Sequence, residues 1–292
     1  MMLFIFHLRF FFRWLRFYFQ AATKYDVHSP FVADFVHYIV EDERLFYAFP
    51  HIERMRARLY RNNFPLEIID LGAGSKVNTS KKRTVRNIVR YSAVSEETGQ
   101  QLFRLVATYK PKQIIELGTS LGISTLYMAT AAPNGQIFTV EGCPDVAEVA
   151  QMNFKRLEIH NIQQRVGNFK DAFPQILQEI KQLDLLLIDG DHRAGNSEYY
   201  FELALSKIHS KSIIILADIH WSAEMEKCWQ KIKQHPRVKL SVDLLHLGVL
   251  FFDESIREKQ HLSIIKWKWK PWRLGLFNFN KSRFKTVESV EI

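Results

Sequence analysis

Between residues 97 and 234, short apolar runs alternate with longer segments whose apolar residues recur every three to four positions. The runs predict buried strands, and the longer segments predict helices that cover them. The predicted elements are helix 97–109, strand 113–117, helix 123–132, strand 136–141, helix 145–158, strand 164–168, helix 172–181, strand 183–189, helix 195–208, strand 212–218 and helix 222–234. This alternation is typical of a parallel sheet with helices on both faces.

Two further apolar runs follow Pro236, at residues 238–245 and 249–252, separated by three residues that include Gly248. Two strands this close predict a hairpin, so the sheet should end with an antiparallel strand. The predicted fold class is therefore α/β. We expect a Rossmann-like, doubly wound, seven-stranded and mostly parallel sheet with an antiparallel terminal hairpin and a helical N-terminal extension.

The charge of the chain divides it into three regions. The chain has 40 Lys and Arg residues and 31 Asp and Glu residues. Residues 97–255 contain 16 of the basic and 19 of the acidic residues, so the two ends together carry 24 basic and 12 acidic residues. We predict a helical, basic and aromatic extension with a lid-like segment at 1–95, a ligand-binding domain at 96–255 and a basic aromatic tail at 256–292. Basic ends favour an anionic surface as their partner.

Residues 1–20 are mostly aromatic or aliphatic, but Arg9, Arg13 and Arg16 fall on one stripe of a helix. Arginines inside the apolar run argue against a membrane span and against a secretory signal. An interfacial helix fits better, which predicts a cytoplasmic protein, peripheral at the inner face of the membrane. The alternative is a terminal helix packed on its own domain or on the second subunit of a homodimer. The two cysteines, Cys143 and Cys228, have no metal or redox spacing and agree with a reducing cytoplasm.

Residues 68–75 imitate a second glycine-rich strand end, but the chain continues as a polar, basic stretch rather than as an apolar helix. A nucleotide-binding unit would continue with a helix, a strand and an acidic residue. We therefore interpret residues 68–96 as a segment or lid that faces the active site, and not as the cofactor loop. The basic cluster of Arg54, Arg56, Arg58 and Arg61 has no aromatic interleaving of the kind that binds nucleic acid, so no specific nucleic acid is expected.

Ligands of such sheets bind at the carboxyl ends of the strands. The first of these ends, at residues 113–125, turns through Gly118 and Gly122, where glycine allows close backbone approach. Glu116 at that end would repel a phosphate and suits a cationic ligand. Glu141 ends the next strand, 23 residues after Gly118, and a carboxylate there can accept both hydroxyls of a ribose; the alternative is a solvated acid in a turn.

The fourth strand ends in Asp189-Gly-Asp-His192, which concentrates three titratable side chains in four residues. Asp189 could hold a divalent cation together with Asp218, which ends the fifth strand. His192 could instead act as a general base near neutral pH. The structural alternative is that Asp191 and His192 cap the next helix.

Four features of the chain resemble class I S-adenosylmethionine-dependent methyltransferases, in the O-methyltransferase-like branch that includes catechol and caffeoyl-CoA enzymes. They are the sequence Ile-Glu-Leu-Gly-Thr-Ser-Leu-Gly-Ile-Ser-Thr, the acid Glu141, and the groups Ile-Asp-Gly-Asp-His and Ala-Asp-Ile-His-Trp. The resemblance covers about residues 95–253. It implies that His192 and Asp189 are catalytic. The cofactor-binding residues that it implies are Glu116, Gly118, Thr119, Ser120, Gly122, Ser124, Glu141, Gly142, Cys143, Asn168, Phe169 and Asp189.

Metal-dependent members of that family hold Mg²⁺ at the positions of Asp189 and Asp218. The chain departs from their Asp-Asn pattern, because Asp218 is followed by Ile219. His220 could replace the missing ligand, or it could orient a substrate.

The resemblance implies methyl transfer from S-adenosylmethionine to a hydroxyl of a small-molecule acceptor. Three other functions were weighed. An NAD(P)-dependent oxidoreductase would need a tighter glycine turn, and Glu116 opposes its pyrophosphate. A non-catalytic, membrane-surface-associated binding protein would use the aromatic and basic ends. RNA methylation would need an Asn-Pro-Pro-Tyr-type motif after the fourth strand, and none is present.

Overall fold

The computed structural model of the protein describes residues 2–69, 82–191 and 193–270. Its N-terminal elements are α1 (Met2–Gln20), α2 (Pro30–Phe35), α3 (Ala48–Tyr60), β1 (Pro65–Glu67), β2 (Lys82–Thr84) and α4 (Val85–Ser92). A 3₁₀ turn at Lys24–Asp26 follows α1, and a π-helical turn at Val36–Val40 continues α2. Residues 70–81 of the predicted lid at 68–96 lie outside the described residues. The part of it that is described forms β2, which pairs antiparallel with β1, and then α4.

The alternating region follows the predicted order closely. Its elements are α5 (Glu96–Tyr109), β3 (Gln113–Leu117), α6 (Ile123–Ala131), β4 (Gln136–Glu141), α7 (Pro144–Arg156), β5 (Ile162–Val166), α8 (Phe169–Glu179), β6 (Leu183–Ile188), α9 (Ala194–Ala204), β7 (Ile208–Ala217), α10 (Ala223–Lys233), β8 (Leu240–Asp243), β9 (Leu247–Phe251) and β10 (Gln260–Ser263). A last 3₁₀ turn covers Trp267–Trp269.

The central sheet has the strand order β10-β8-β9-β7-β6-β3-β4-β5. β9 is antiparallel to both of its neighbours, and the other pairings are parallel. The predicted α/β fold and its antiparallel hairpin are confirmed, but the described sheet has eight strands where seven were expected. The additional strand is β10, which pairs with β8 from Gln260 opposite Leu240. The predicted tail therefore begins inside the sheet.

The strands are apolar on both sides because helices cover both faces of the sheet. In β6, Leu186 and Ile188 join the cluster that contains Phe173 of α8 and Trp229 of α10. Leu185 and Leu187, which alternate with them, join the opposite cluster with Leu102 of α5. All four β6 side chains are buried. Burial on this scale removes apolar surface from water on two faces at once, which makes the sheet a rigid support for its loops.

After helix α1, the chain forms an isolated parallel bridge between Ala22 and Ile264, which follows β10. Among the described helices, none has both the length and the apolar character that crossing a bilayer would require.

Candidate functional site at the carboxyl edge of the sheet

The loop after β3 turns sharply because two glycines take conformations that other residues avoid. Gly118 has φ +114° and Gly122 has φ +83°. A Cβ atom on Gly118 would lie 2.7 Å from the carbonyl oxygen of Asp189, so this loop backs directly onto the end of β6. The Asp189 backbone N–H donates to the Leu117 carbonyl at 2.9 Å and holds the two strand ends in contact. Only glycine permits this approach.

Glu116 lies beneath that loop, fully buried, and three hydroxyls donate to its carboxylate. These donors are Ser124 Oγ at 2.6 Å, Thr125 Oγ1 at 2.5 Å and Thr139 Oγ1 at 2.6 Å. Burial raises the pKa of Glu116 to about 7, although the three hydroxyls oppose the rise. Sequence analysis named Ser124 as a site residue but not Thr125, and it also missed Thr139. The available signal was a threonine in the middle of the apolar strand β4, where an unpaired hydroxyl would be costly.

Glu141 at the end of β4 holds the loop from the other side. One oxygen, Oε2, accepts from the Ser120 backbone N–H at 2.8 Å, and Oε1 accepts from the Cys143 N–H at 3.0 Å. Ser120 has φ +47°, so the carboxylate holds a non-glycine residue in the left-handed region. The Glu141 side chain therefore holds both the loop after β3 and the turn after β4.

The remaining predicted cofactor residues divide into buried and open positions. The Thr119 hydroxyl is buried and bonds to Thr139 Oγ1 at 2.6 Å. The Cys143 side chain is also buried, and its thiol donates to the Glu67 carbonyl at 3.2 Å, away from the loop of β3. Any contact of Cys143 with a ligand would therefore use its backbone. Gly142 between these loops stays half-buried.

The loops of β5 and β6 close the same edge. The Asn168 side chain is exposed and caps α8 by accepting from the Lys170 N–H at 2.9 Å. Phe169 is half-buried, and a Cβ on Gly190 would lie 2.6 Å from its ring. The same Cβ would lie 3.3 Å from the Cα of Gly118. The Phe169 ring, Gly118 and Gly190 thus meet at one place on this edge.

Asp189 and Asp218 lie close enough to influence each other. Burial, the charge of Asp218 and the charge of Glu116 raise the pKa of Asp189 well above its usual range. Asp218 has φ +54°, and its backbone N–H donates to the His246 carbonyl at 2.8 Å. The edge therefore brings acidic side chains together from several strands, and their proximity and burial favour the neutral form of Asp189.

The donor set at this place does not fit a Mg²⁺ site of the catechol type. Ile219 stands where a further oxygen ligand would be needed, and its side chain is fully buried in the core. Throughout residues 10–69, 82–191 and 193–270, no three His, Cys, Asp or Glu side chains are grouped so that they could hold a metal. The expectation of a metal at Asp189 and Asp218 finds no support in the described residues.

His220 is not available to replace that ligand, which corrects an alternative left open by the sequence. Its Nδ1 lies 3.0 Å from Glu226 Oε1 and its Nε2 lies 2.8 Å from Asp243 Oδ2. Burial alone would lower the pKa of His220, but the hydrogen bonds and charges of Asp243 and Glu226 outweigh burial and raise it. Glu226 also accepts from Arg13 Nε at 3.2 Å, so this pair of acids ties α1 to α10 and β8.

His192 lies outside the described residues. Its neighbour Asp191 accepts from Arg193 Nε at 2.6 Å and from Asn196 Nδ2 at 2.5 Å, which organises the first turn of α9. Asp191 does not cap α9 as the structural alternative expected, because these bonds go to side chains and the N-cap residue, Arg193, makes no side-chain capping bond.

Comparison with known proteins agrees with this geometry. The sequence profile described as O-methyltransferase matches residues 74–263. The chain belongs to the O-methyltransferase family. The resemblance inferred from the residues at 113–125, 141 and 188–192 is thus confirmed.

Two curated relatives in this family are bacterial. The chain is 36% identical over 129 residues to a catechol O-methyltransferase of Niastella koreensis, which covers 43% of this chain and 57% of that protein. It is 30% identical over 129 residues to a catechol O-methyltransferase of Mycobacterium tuberculosis, over 44% of this chain and 57% of the relative. The chain thus spans little more than half the length of the curated relatives that it matches.

Solved structures share the fold of this O-methyltransferase family member. An S-adenosylhomocysteine-bound methyltransferase of Podospora anserina aligns with a TM-score of 0.54 and 14% identity, over 78% of this chain and 97% of that chain. An O-methyltransferase of Bacillus cereus in complex with S-adenosylhomocysteine aligns with a TM-score of 0.51 and 20% identity, over 75% of this chain and 96% of that chain. At these identities the likeness establishes the mostly parallel sheet and its helices.

Proposed function

We propose that the protein transfers the methyl group of S-adenosylmethionine to a hydroxyl of a small molecule. The observation that carries the proposal is the charge and shape of the carboxyl edge. A tight glycine loop lies between Glu141 and the buried Glu116, and Asp189 adjoins it. S-adenosylmethionine carries a positive sulfonium and a positive ammonium group, so negative potential here favours it. The same potential opposes the pyrophosphate of NAD(P).

The cofactor residues have separate roles in this proposal. Residues 118–122 contact the methionine part through their backbone, and Gly142 and the Cys143 backbone adjoin the ribose. Glu141, whose carboxylate joins the loop after β3 to the turn after β4, accepts hydrogen bonds from the ribose hydroxyls. Phe169, with Asn168 beside it, flanks the adenine.

In the chemical step, the acceptor oxygen attacks the methyl carbon in line with the carbon–sulfur bond. The new carbon–oxygen bond forms as the carbon–sulfur bond breaks, and sulfur keeps the electron pair to give S-adenosylhomocysteine. The hydroxyl proton leaves to a base, which we assign to His192, with Asp189 beside it. Alignment of the two molecules and exclusion of water supply most of the rate. No step is assigned to a metal, because Ile219 and His220 are committed elsewhere.

The acceptor side lies next to α1. Arg13 Nη1 lies 3.5 Å from the Trp221 carbonyl, so the aromatic helix and the half-buried Trp221 adjoin the end of β7. This supports a flat or partly apolar acceptor. The peripheral membrane contact of residues 1–20 also stays a proposal, and the aromatic outward side of α1 supports it.

Calorimetric titration of the full chain tests the cofactor assignment. We expect saturable binding of S-adenosylmethionine with or without Mg²⁺, and no binding of NADH. Glu141→Gln removes one backbone acceptor and the negative charge, so it should weaken S-adenosylmethionine binding by at least about tenfold. The matched control is Glu148→Gln, which makes the same change at an exposed position of α7 and should bind normally.

Tight binding by Glu141→Gln would sink the ribose assignment. A folded wild-type chain that binds neither ligand would favour the non-catalytic, membrane-associated alternative. The role of His192 is tested separately by single-turnover methyl transfer at saturating S-adenosylmethionine. His192→Gln should slow that step while cofactor affinity stays unchanged, and an unaltered rate would remove His192 from the mechanism.

A further inference from the structure

Helix α1 is docked on the carboxyl edge of the sheet by one of its faces. Arg13 Nε pairs with Glu226 at 3.2 Å, and the Phe17 ring, which is buried, lies 6.1 Å from the His220 ring. Glu226 and His220 both follow the end of β7 in the chain. Asp218, at the same strand end, helps to raise the pKa of Asp189. The edge that carries the proposed cofactor site therefore also carries α1.

The C-terminal segment fixes the far end of α1. Lys270 is buried, and its Nζ donates to the Ala21 carbonyl at 2.6 Å, where a cation satisfies the end of a helix. The Tyr18 hydroxyl donates to the Trp269 carbonyl at 2.7 Å. Through these bonds, the turn Trp267–Trp269 lies beside the last turns of α1 and continues its surface.

The opposite face of α1 is exposed and aromatic. Phe11, Phe12 and Phe19 are 52%, 59% and 68% exposed, and helical geometry places them on one side, away from Arg13 and Phe17. Trp269 is 56% exposed beside the end of the helix, and Tyr25 is 54% exposed just beyond it. Large aromatic side chains grouped in this way on a soluble surface mark an interaction site.

The charged residues around these aromatics are mostly basic. Arg16, Lys24 and Lys268 are exposed, and Lys24 Nζ lies 5.0 Å from the Trp267 ring centre. Lys268 also pairs with the exposed Glu43 at 3.2 Å. Aromatic rings bordered by Lys and Arg suit the interface of an anionic bilayer, where rings enter the acyl boundary and cations meet phosphates. A symmetric second copy would instead bring the same basic residues against each other.

We infer that Phe11, Phe12 and Phe19 of α1, with Tyr25 and Trp269, form a docking surface for an anionic lipid bilayer, and that docking turns the carboxyl edge of the sheet toward the lipid. Helix α1 then lies flat in the interface and does not span it. The proposed cofactor site is thereby placed beside the membrane. The inference stands on the docked helix and its outward face, and it holds whether or not methyl transfer is shown.

Vesicle co-sedimentation of the full chain tests the surface. Wild type should bind vesicles of phosphatidylcholine with phosphatidylglycerol, bind phosphatidylcholine alone weakly, and bind less as salt is raised. The double variant Phe12→Glu with Phe19→Glu should lose at least about tenfold in vesicle affinity. The matched control is Phe64→Glu with Met152→Glu, two exposed apolar residues before β1 and on α7. It should bind like wild type.

Orientation is tested with a fluorophore on a single introduced cysteine and a quencher on the lipid headgroup, since Cys143 and Cys228 are buried. Glu224→Cys lies at the carboxyl edge in α10, and Lys181→Cys lies at the opposite edge before β6; both positions are exposed. Quenching should be several-fold stronger at position 224. Equal quenching, or stronger quenching at position 181, would overturn the orientation.

Three outcomes would overturn the docking surface. The first is a folded wild type that ignores anionic vesicles, and the second is a Phe12/Phe19 variant that binds them normally. The third is a wild-type dimer in light scattering that becomes a monomer in the Phe12/Phe19 variant, while the variant still binds vesicles. Titration with S-adenosylmethionine in every variant keeps this result separate from the proposed function, because the surface variants should bind the cofactor normally.

Discussion

The carboxyl edge of the sheet has two halves that treat buried acids in opposite ways. In the half formed by β3, β4 and β6, three neutral hydroxyls donate to Glu116, and their hydrogen bonds do not cancel its charge. Backbone N–H groups donate to Glu141 in the same half. In the half formed by β7 and β8, His220 and Arg13 provide positive partners for Glu226 and Asp243.

This difference assigns ligand binding to the first half of the edge and the attachment of helices to the second half. An acid held by neutral donors keeps a negative potential for a cationic ligand, which is what the first half offers. An acid paired with a cation within the protein has little potential left to offer, and its bond joins elements together. The second half accordingly attaches α1 and α10 to the sheet. Three substitutions test the contrast.

The largest effect is expected from Gly118→Ala in the first half. The new Cβ would lie 2.7 Å from the Asp189 carbonyl oxygen, at φ +114°. We expect the free energy of unfolding to fall by at least about 2 kcal/mol, and S-adenosylmethionine binding to be lost. Urea unfolding and calorimetry measure the two quantities.

Gly195→Ala is the control for that change, since a Cβ at Gly195 in α9 meets no atom within 4 Å. It should leave binding intact and leave stability unchanged or raised by up to about 1 kcal/mol. If Gly118→Ala behaved like this control, the loop would not need to approach β6 so closely.

Glu116→Gln tests whether the first half acts through its charge. Because the pKa of Glu116 is about 7, its carboxyl is mostly neutral below that pH and negative above it. The variant should therefore bind S-adenosylmethionine nearly as well as wild type about one pH unit below 7, and about tenfold more weakly at higher pH. Calorimetry across this range measures it.

Glu148→Gln again serves as the exposed control and should follow wild type at every pH. An affinity ratio between Glu116→Gln and wild type that does not change with pH would show that the charge of Glu116 has no part in binding.

His220→Gln tests the second half and should have the smallest effect. The folded-state pKa of His220 is raised, so its contribution to stability is fully present below its unfolded pKa of about 6.5 and is lost as pH rises through the folded value. Wild type should exceed the variant by about 2 kcal/mol at about pH 6, and by less at about pH 9. Urea unfolding at both pH values measures the difference.

His261→Gln gives a control of opposite sign. Burial, Lys233 and Lys259 lower the pKa of His261, so its neutral form is favoured in the folded state and its contribution should grow as pH rises. If the His220 difference also grew with pH, the pairing with Glu226 and Asp243 would not be holding a charged imidazole.

Much of the first half could be predicted from sequence because its parts lie close together in the chain. The run from Glu116 to Thr125 contains a strand end, two glycines and a helix start, and local chemistry determines each of these. Glu141 follows at the end of the next strand. Two buried partners of Glu116 were not predicted: Thr125 lies within the same run, and Thr139 comes from the neighbouring strand.

The second half could not be predicted in the same way because its contacts join distant positions. His220 ends one loop, while Asp243 is 23 residues further along and Arg13 is more than 200 residues away. The sequence placed His220 at the correct strand end but could not show which way its ring turns. For the same reason, the four residues of β10 were assigned to the basic aromatic tail, because they acquire strand identity only by pairing with β8.

The sequence by itself determined the order of strands and helices, the glycine loop and the acids at the strand ends, since periodicity and backbone chemistry act over a few residues. The tertiary structure alone decided which acids keep their charge, where α1 docks and which of its faces remains exposed. Those outcomes depend on partners supplied by remote segments, and a side chain's pKa and burial are properties of the assembled environment.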